Sequence, residues 1–236
     1  MKKLLTAFVA TAMLGSLLCM GASAVEPKVS YAGPIEAKGE GNKEWVDTTV
    51  HVPLDQKDEY STALTAEYTV TFTQLGEWAR LYVYLDAEGF NDWGGYMLAF
   101  EGGEAAWTNS GENLDGNCGL SLYAAGKPGW KFAAGKVIDL PETDVAYRVV
   151  LERVIGAEDT TVKVWYFKDG EDMPAEPLFT YTADNETYGG ASSGIKFASW
   201  DRVEATITDL KVYNVPLADI NAEEDTPESS DDGSNP

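Results

Sequence analysis

The feature that most constrains this chain is a period of two. In Tyr68-Thr69-Val70-Thr71-Phe72-Thr73, apolar residues and threonines alternate without a break, which places the two sets on opposite faces of an extended strand. The pattern recurs. Arg80 to Asp86 sets Leu81, Val83 and Leu85 against Tyr82 and Tyr84. Ala146 to Val154 sets Tyr147, Val149 and Leu151 against Arg148, Val150 and Glu152, and Thr160 to Lys168 sets Val162, Val164 and Tyr166 against Lys163, Trp165 and Phe167. Further strands are expected at 45–52, 95–100, 119–123, 131–138, 178–182, 194–198 and 203–215. Turn signals such as Lys127-Pro128-Gly129, Asp169-Gly170 and Gly189-Gly190 separate them. Antiparallel strands without βαβ alternation make a β-sandwich or a barrel. In the last strand Val203, Ala205 and Ile207 share a phase that Leu210, Val212 and Val215 do not, so a bulge is expected near Asp209. No fixed-period repeat is present, which fits one domain.

The two ends of the chain read differently. Residues 1–24 have the form of a secretory signal peptide: Lys2 and Lys3, then an apolar stretch to Leu18, then Ala22-Ser23-Ala24 as the cleavage signal. The protein is therefore expected to be secreted, either free outside the cell or attached to its surface, with no membrane insertion after cleavage. Residues 217–236 carry seven acids, no Lys or Arg, two Pro and three Ser, and read as a disordered acidic linker or tail. The β-domain is expected to occupy residues 25–216.

Charge and cysteine count exclude further classes. Loss of Lys2 and Lys3 takes the formal charge from −22 to −24, so a nucleic-acid partner is excluded for want of a basic face. An acidic polysaccharide is disfavoured by the same charge unless a cation bridges it. Cys19 leaves with the signal, so Cys118 has no disulfide partner and the fold rests on its hydrophobic core. Cys118 reads as a half-buried thiol, and His51, the single histidine, as an exposed strand residue. A monomer is expected.

A resemblance enters in the C-terminal half. Its carriers are Tyr147-Arg148-Val149-Val150-Leu151-Glu152-Arg153, Val162-Lys163-Val164-Trp165-Tyr166, Pro177-Leu178-Phe179-Thr180-Tyr181, Gly194-Ile195-Lys196-Phe197 and the closing Asp209-Leu210-Lys211-Val212-Tyr213. In this order they resemble the concanavalin A-like, laminin-G-like β-sandwich domains of secreted bacterial proteins. The resemblance implies a two-sheet antiparallel sandwich of jelly-roll type. It does not select a function, because lectins, adhesins, spacers and glycosidases share that sandwich. The segment from Val25 to Leu64 is expected to supply an edge strand or two, including a partner for the C-terminal strand.

Glycosidases of this kind need two carboxylates on one strand face, one protonated and one ionised. The acid groupings present, Asp86-Ala87-Glu88, Glu101-Gly102-Gly103-Glu104 and Glu142-Thr143-Asp144, read as strand ends or loops, so no catalytic residue is assigned. The aromatics point elsewhere. Tyr82, Tyr84, Trp165 and Phe167 face away from the core phase, while Trp93, Trp107 and Trp130 lie in or beside turns. Sugar rings stack on such rings, so Tyr82, Tyr84, Trp93, Trp107, Trp130 and Trp165 form the expected ligand-binding set. Asp86, Glu88, Asn91 and Asp92 form an oxygen-rich connection suited to Ca²⁺. A second group, Asn109, Glu112, Asn113, Asp115 and Asn117, has the same chemistry. The expectation is a lectin-like module that binds a polysaccharide or glycan without cutting it. The alternatives are a structural or adhesive module with a protein partner, and a divergent glycoside hydrolase.

Overall fold

The computed structural model describes residues 25–39, 45–46, 52–53, 62–76, 79–85, 95–102, 117–125, 130–184 and 194–221. They form two seven-stranded antiparallel sheets. Across the first sheet, A, run β1 (Val29–Tyr31), β14 (Val203–Tyr213), β5 (Ala63–Leu75), β10 (Ala146–Ile155), β11 (Asp159–Lys168) and β12 (Phe179–Asp184), with β2 (Ile35–Lys38) also on β14. Across the second, B, run β3 (Trp45–Val46), β13 (Gly194–Trp200), β6 (Arg80–Leu85), β7 (Tyr96–Gly102), β8 (Asn117–Ala125) and β9 (Trp130–Asp139), with β4 (Val52–Pro53) also on β13. The chain is a two-sheet antiparallel β-sandwich of jelly-roll type, and the period of two is its cause.

One apolar set from each strand meets between the sheets. Leu81, Val83 and Leu85 of β6, Leu98 and Phe100 of β7, and Leu120 and Leu122 of β8 face Val70 and Phe72 of β5, Val149 and Leu151 of β10, and Val162 and Val164 of β11. Aromatic pairs bridge the gap. Phe72 meets Phe100 at 5.3 Å, and Tyr68 meets Phe197 edge-on at 5.5 Å. Each pair contributes about 0.5–1.5 kcal/mol beyond its buried area. Cys118 lies fully buried on this inner face, where burial pushes its thiol pKa up and keeps it protonated.

The bulge expected near Asp209 is present: the β14–β5 register shifts between Thr208 and Lys211, and Asp209 has φ 53°. One inserted residue returns Leu210 and Val212 to the core that Val203, Ala205 and Ile207 already enter. Both β1 and β2 pair with β14, as expected of the N-terminal segment. At the corner between β13 and β14, Asp201 turns with φ 59°, and a Cβ on Gly39 would overlap its carbonyl oxygen. Only glycine fits there.

Of the strand expected at 45–52, β3 and β4 are described and both pair with β13, while residues 47–51 lie outside the described residues. One boundary differs from expectation. The fold continues past residue 216: Leu217–Asn221 form a helical turn, α1, with Leu217 buried and Ile220 packed beside it. Their spacing of three puts both on one helical face, and the outer face of sheet A supplies the apolar surface that holds them. Residues 1–24 and 222–236, with the signal peptide and most of the acidic tail, lie outside the described residues.

Candidate functional site

The outer face of sheet B is built as three cross-strand rows. The first runs Trp200, Arg80, Glu101, Gly119 and Val137; the second Ala198, Tyr82, Ala99, Ser121 and Gly135; the third Lys196, Tyr84, Met97, Tyr123 and Phe132. Each row takes the residue opposite to the core set of its strand. Apart from Tyr82, the middle row holds only Ala, Ser and Gly, so it forms a low floor between two rows of larger side chains. Trp200 and Phe132, half-buried, stand at opposite flanks of this face. Four strand spacings separate their strands, about 19 Å.

A buried carboxylate stands beside this floor, in the first row. Glu101 is 1% exposed, and its Oε2 accepts from Ser121 Oγ at 2.9 Å while its Oε1 accepts from the Tyr123 hydroxyl at 3.0 Å. Arg80 Nε lies 3.3 Å from the same Oε1, near enough for an ion pair but not aligned as a hydrogen bond. Arg80 also donates to the Tyr82 hydroxyl at 3.3 Å. Burial pushes the Glu101 pKa above the usual carboxylate range, against the lowering effects of Ser121, Arg80 and Tyr123. The same desolvation pushes Tyr82 up to about 12. Tyr123 rises for that reason too, and further because the Glu101 charge faces it. The network combines a guanidinium, phenols and a carboxylate with aromatic flanks.

The expected ligand-binding residues part company here. Tyr82 and Tyr84 do leave the core and lie on this face, with rings 6.2 Å apart, but they are 4% and 2% exposed and so serve as its substance rather than its surface. Trp165 is a correction. It faces away from the core as its phase requires, yet on the other sheet, where Val150, Phe167, Leu217, Met173 and Ile220 enclose it. Its ring is not presented to a ligand, because α1 lies over it. Trp130 opens β9 opposite Ala125, two residues before Phe132. Trp93, Trp107, His51 and the calcium candidates Asp86, Glu88, Asn91 and Asp92 lie outside the described residues. Among the described residues no three His, Cys, Asp or Glu side chains converge as a metal site.

Glu101, Arg80, Ser121, Tyr123, Phe132 and Trp200 were not singled out from the sequence. Glu101, expected at a strand end or in a loop, is the penultimate residue of β7, in phase with Met97 and Ala99. Extending the Tyr96–Phe100 alternation by one residue would have placed it there.

The outer face of sheet A is organised otherwise. Glu152, 3% exposed, accepts from the Leu217 backbone N–H at 2.8 Å and pairs with Lys163 at 2.9 Å, which ties α1 to β10. Beside it the bulge opens a shallow hollow of about 240 Å³ lined by Glu67, Tyr68, Thr69, Arg148, Asp169, Asp209 and Lys211. Arg148 pairs with Glu67 at 3.3 Å and lies over the Phe167 ring.

No family model matches the chain, and no curated protein does. Among solved structures, a xylan β-1,4-xylosidase from Bacillus halodurans aligns with TM-score 0.47 and 12% identity over 75% of this chain and 32% of that one. The chain thus spans about a third of the xylosidase's length. The catalytic domain of a glycoside hydrolase family 131 protein from Coprinopsis cinerea aligns with TM-score 0.42 and 12% identity, over 67% of this chain and 58% of that one. The carbohydrate recognition domain of Emp46p gives 0.42 and 13%, over 65% and 72%.

Proposed function

We propose that the chain is a secreted, non-catalytic carbohydrate-binding module whose glycan lies along the outer face of sheet B. One observation carries this reading: half-buried Phe132 and Trp200 flank a low floor of Ala198, Ala99, Ser121 and Gly135, with Arg80 and Tyr123 in hydrogen-bonding rows on either side. A sugar places apolar C–H faces on rings and hydroxyls on neighbouring polar groups, and this surface offers both. Binding rather than cleavage is favoured because hydrolysis needs a second carboxylate across the bond. Among the described residues, Glu101 is the one carboxylate in the three rows. Contacts from Trp93 and Trp107 and a calcium ion bound by Asp86, Glu88, Asn91 and Asp92 belong to the same proposal.

The test is a glycan array run with calcium and again with chelator. Binding to a defined sugar class is expected. Trp200→Ala or Phe132→Ala is then expected to weaken it about tenfold or more, which corresponds to about 1.4 kcal/mol. Unchanged affinity in both folded variants would overturn the assignment of this face.

A further inference from the structure

The charge of the chain and the charge of this face disagree. The formal charge is −22, yet the strands of sheet B carry Arg80, Lys131, Lys136 and Lys196 against Glu101 and Asp139. In the three rows of the outer face the ionisable cations are Arg80 and Lys196, and the one described carboxylate is Glu101. Long-range repulsion from the rest of the chain is screened within about 8–10 Å at ordinary salt, so the local groups decide what binds.

Resting on the carbohydrate-binding reading above, we propose that the sugar taken by this face is a uronic acid, whose carboxylate replaces Glu101 as the partner of Arg80 while Glu101 takes up one proton from solvent. The geometry permits the exchange. The Arg80 side chain is 13% exposed while Glu101 is 1% exposed, so Arg80 is the more accessible member of the pair, although its Nε is itself buried. The Arg80 Nε contact to Glu101 is an unaligned ion pair, whereas a planar guanidinium binds a free carboxylate in fork geometry. Ligand carboxylate and Glu101 carboxylate would repel across the same cation, and removing one charge relieves that.

Glu101 is the group positioned to give up its charge. It is buried, and its pKa is raised chiefly by desolvation even with Arg80 beside it. Losing Arg80 to the ligand removes an effect that holds the pKa down. The groups facing Glu101 are Arg80 and Tyr82 from β6, Ser121 and Tyr123 from β8, and, further along the rows, Lys196 from β13. Cys118 lies behind it on the inner face. Neither phenol nor thiol ionises near neutral pH, since burial pushes Tyr82, Tyr123 and Cys118 upward. Ser121 and Tyr123 hydroxyls accept as well as donate, so the network survives protonation of Glu101.

The experiment is calorimetric titration of the whole protein with an oligogalacturonate and with its neutral galactose counterpart. It is run at about pH 5 and about pH 7.5, in buffers of different ionisation enthalpy. Expected is preference for the acidic oligosaccharide, about tenfold tighter at the lower pH, with net proton uptake on binding at the higher pH. Glu101→Gln is expected to bind it equally at both pH values with no proton uptake. Arg80→Gln is expected to weaken the acidic ligand at least about tenfold more than the neutral one, which tests the inference should the first variant not fold. Neutral sugar bound as well as or better than uronate, or uronate bound without proton uptake, overturns this inference and leaves the carbohydrate-binding reading standing. Silence toward every sugar at both pH values overturns both.

Discussion

The two outer faces of the sandwich arise from the same alternation and end in opposite states. On sheet A, Trp165 and Phe167 leave the core phase and are sealed by α1, with Glu152 holding the helix start. On sheet B, Tyr82, Tyr84 and Tyr123 leave the core phase and assemble around a charged pair, Arg80 and Glu101, with half-buried rings at the flanks. One face packs its aromatics under a helix, and the other packs them around an ion pair. An aromatic residue out of core phase is therefore no measure of binding by itself; what lies over it decides.

That contrast can be broken experimentally. The largest effect should come from Trp165→Ala, which empties the cluster beneath α1 and is expected to cost about 3–5 kcal/mol in denaturant unfolding while leaving glycan affinity unchanged. If affinity falls in the folded variant, the division between the faces fails. Next is Leu217→Ala, expected to cost about 2–4 kcal/mol and to raise quenching of Trp165 fluorescence. Equal quenching before and after would show that α1 does not cover the ring.

Glu152→Ala leaves the Leu217 N–H without its acceptor and Lys163 without its carboxylate, for an expected loss of about 1–3 kcal/mol. Glu101→Gln sharpens the comparison through pH rather than magnitude. The folded-state pKa of Glu101 lies above its unfolded value, so the folded state takes the proton more readily. The resulting stability is complete below the ordinary carboxylate range and is lost as pH rises through the raised pKa. The unfolding midpoint of the parent protein should accordingly carry a decline on going from acid toward neutral pH that Glu101→Gln lacks. A parallel pair of curves would show that Glu101 does not titrate abnormally. The smallest effect is expected from Arg148→Ala: its pair with Glu67 is partly exposed, so the change should stay within about 1 kcal/mol by the same unfolding assay.

Much of the sandwich could be read directly. The phases of β5, β6, β10 and β11, the bulge at Asp209 and the pairing of the N-terminal segment with the last strand all follow from side-chain order. The site was legible only in part. That Tyr82 and Tyr84 leave the core follows from the sequence, because phase is local. The sequence leaves Glu101 at a strand end or in a loop, because the glycines after it obscure that β7 continues to Gly102. Leu217 and Ile220 were lost in the composition of an acidic tail, since two apolar residues carry no signal until a surface exists to receive them.

Sequence by itself determined which side chains share a face, because alternation along a strand is a property of neighbouring residues. Tertiary structure decided which of those faces is covered, which cation meets which carboxylate, and that Trp165 and Tyr82 end on different sheets. Those outcomes depend on contacts between residues as far apart as Glu152 and Leu217, or Arg80 and Glu101, which only the packing of strands and helix brings together.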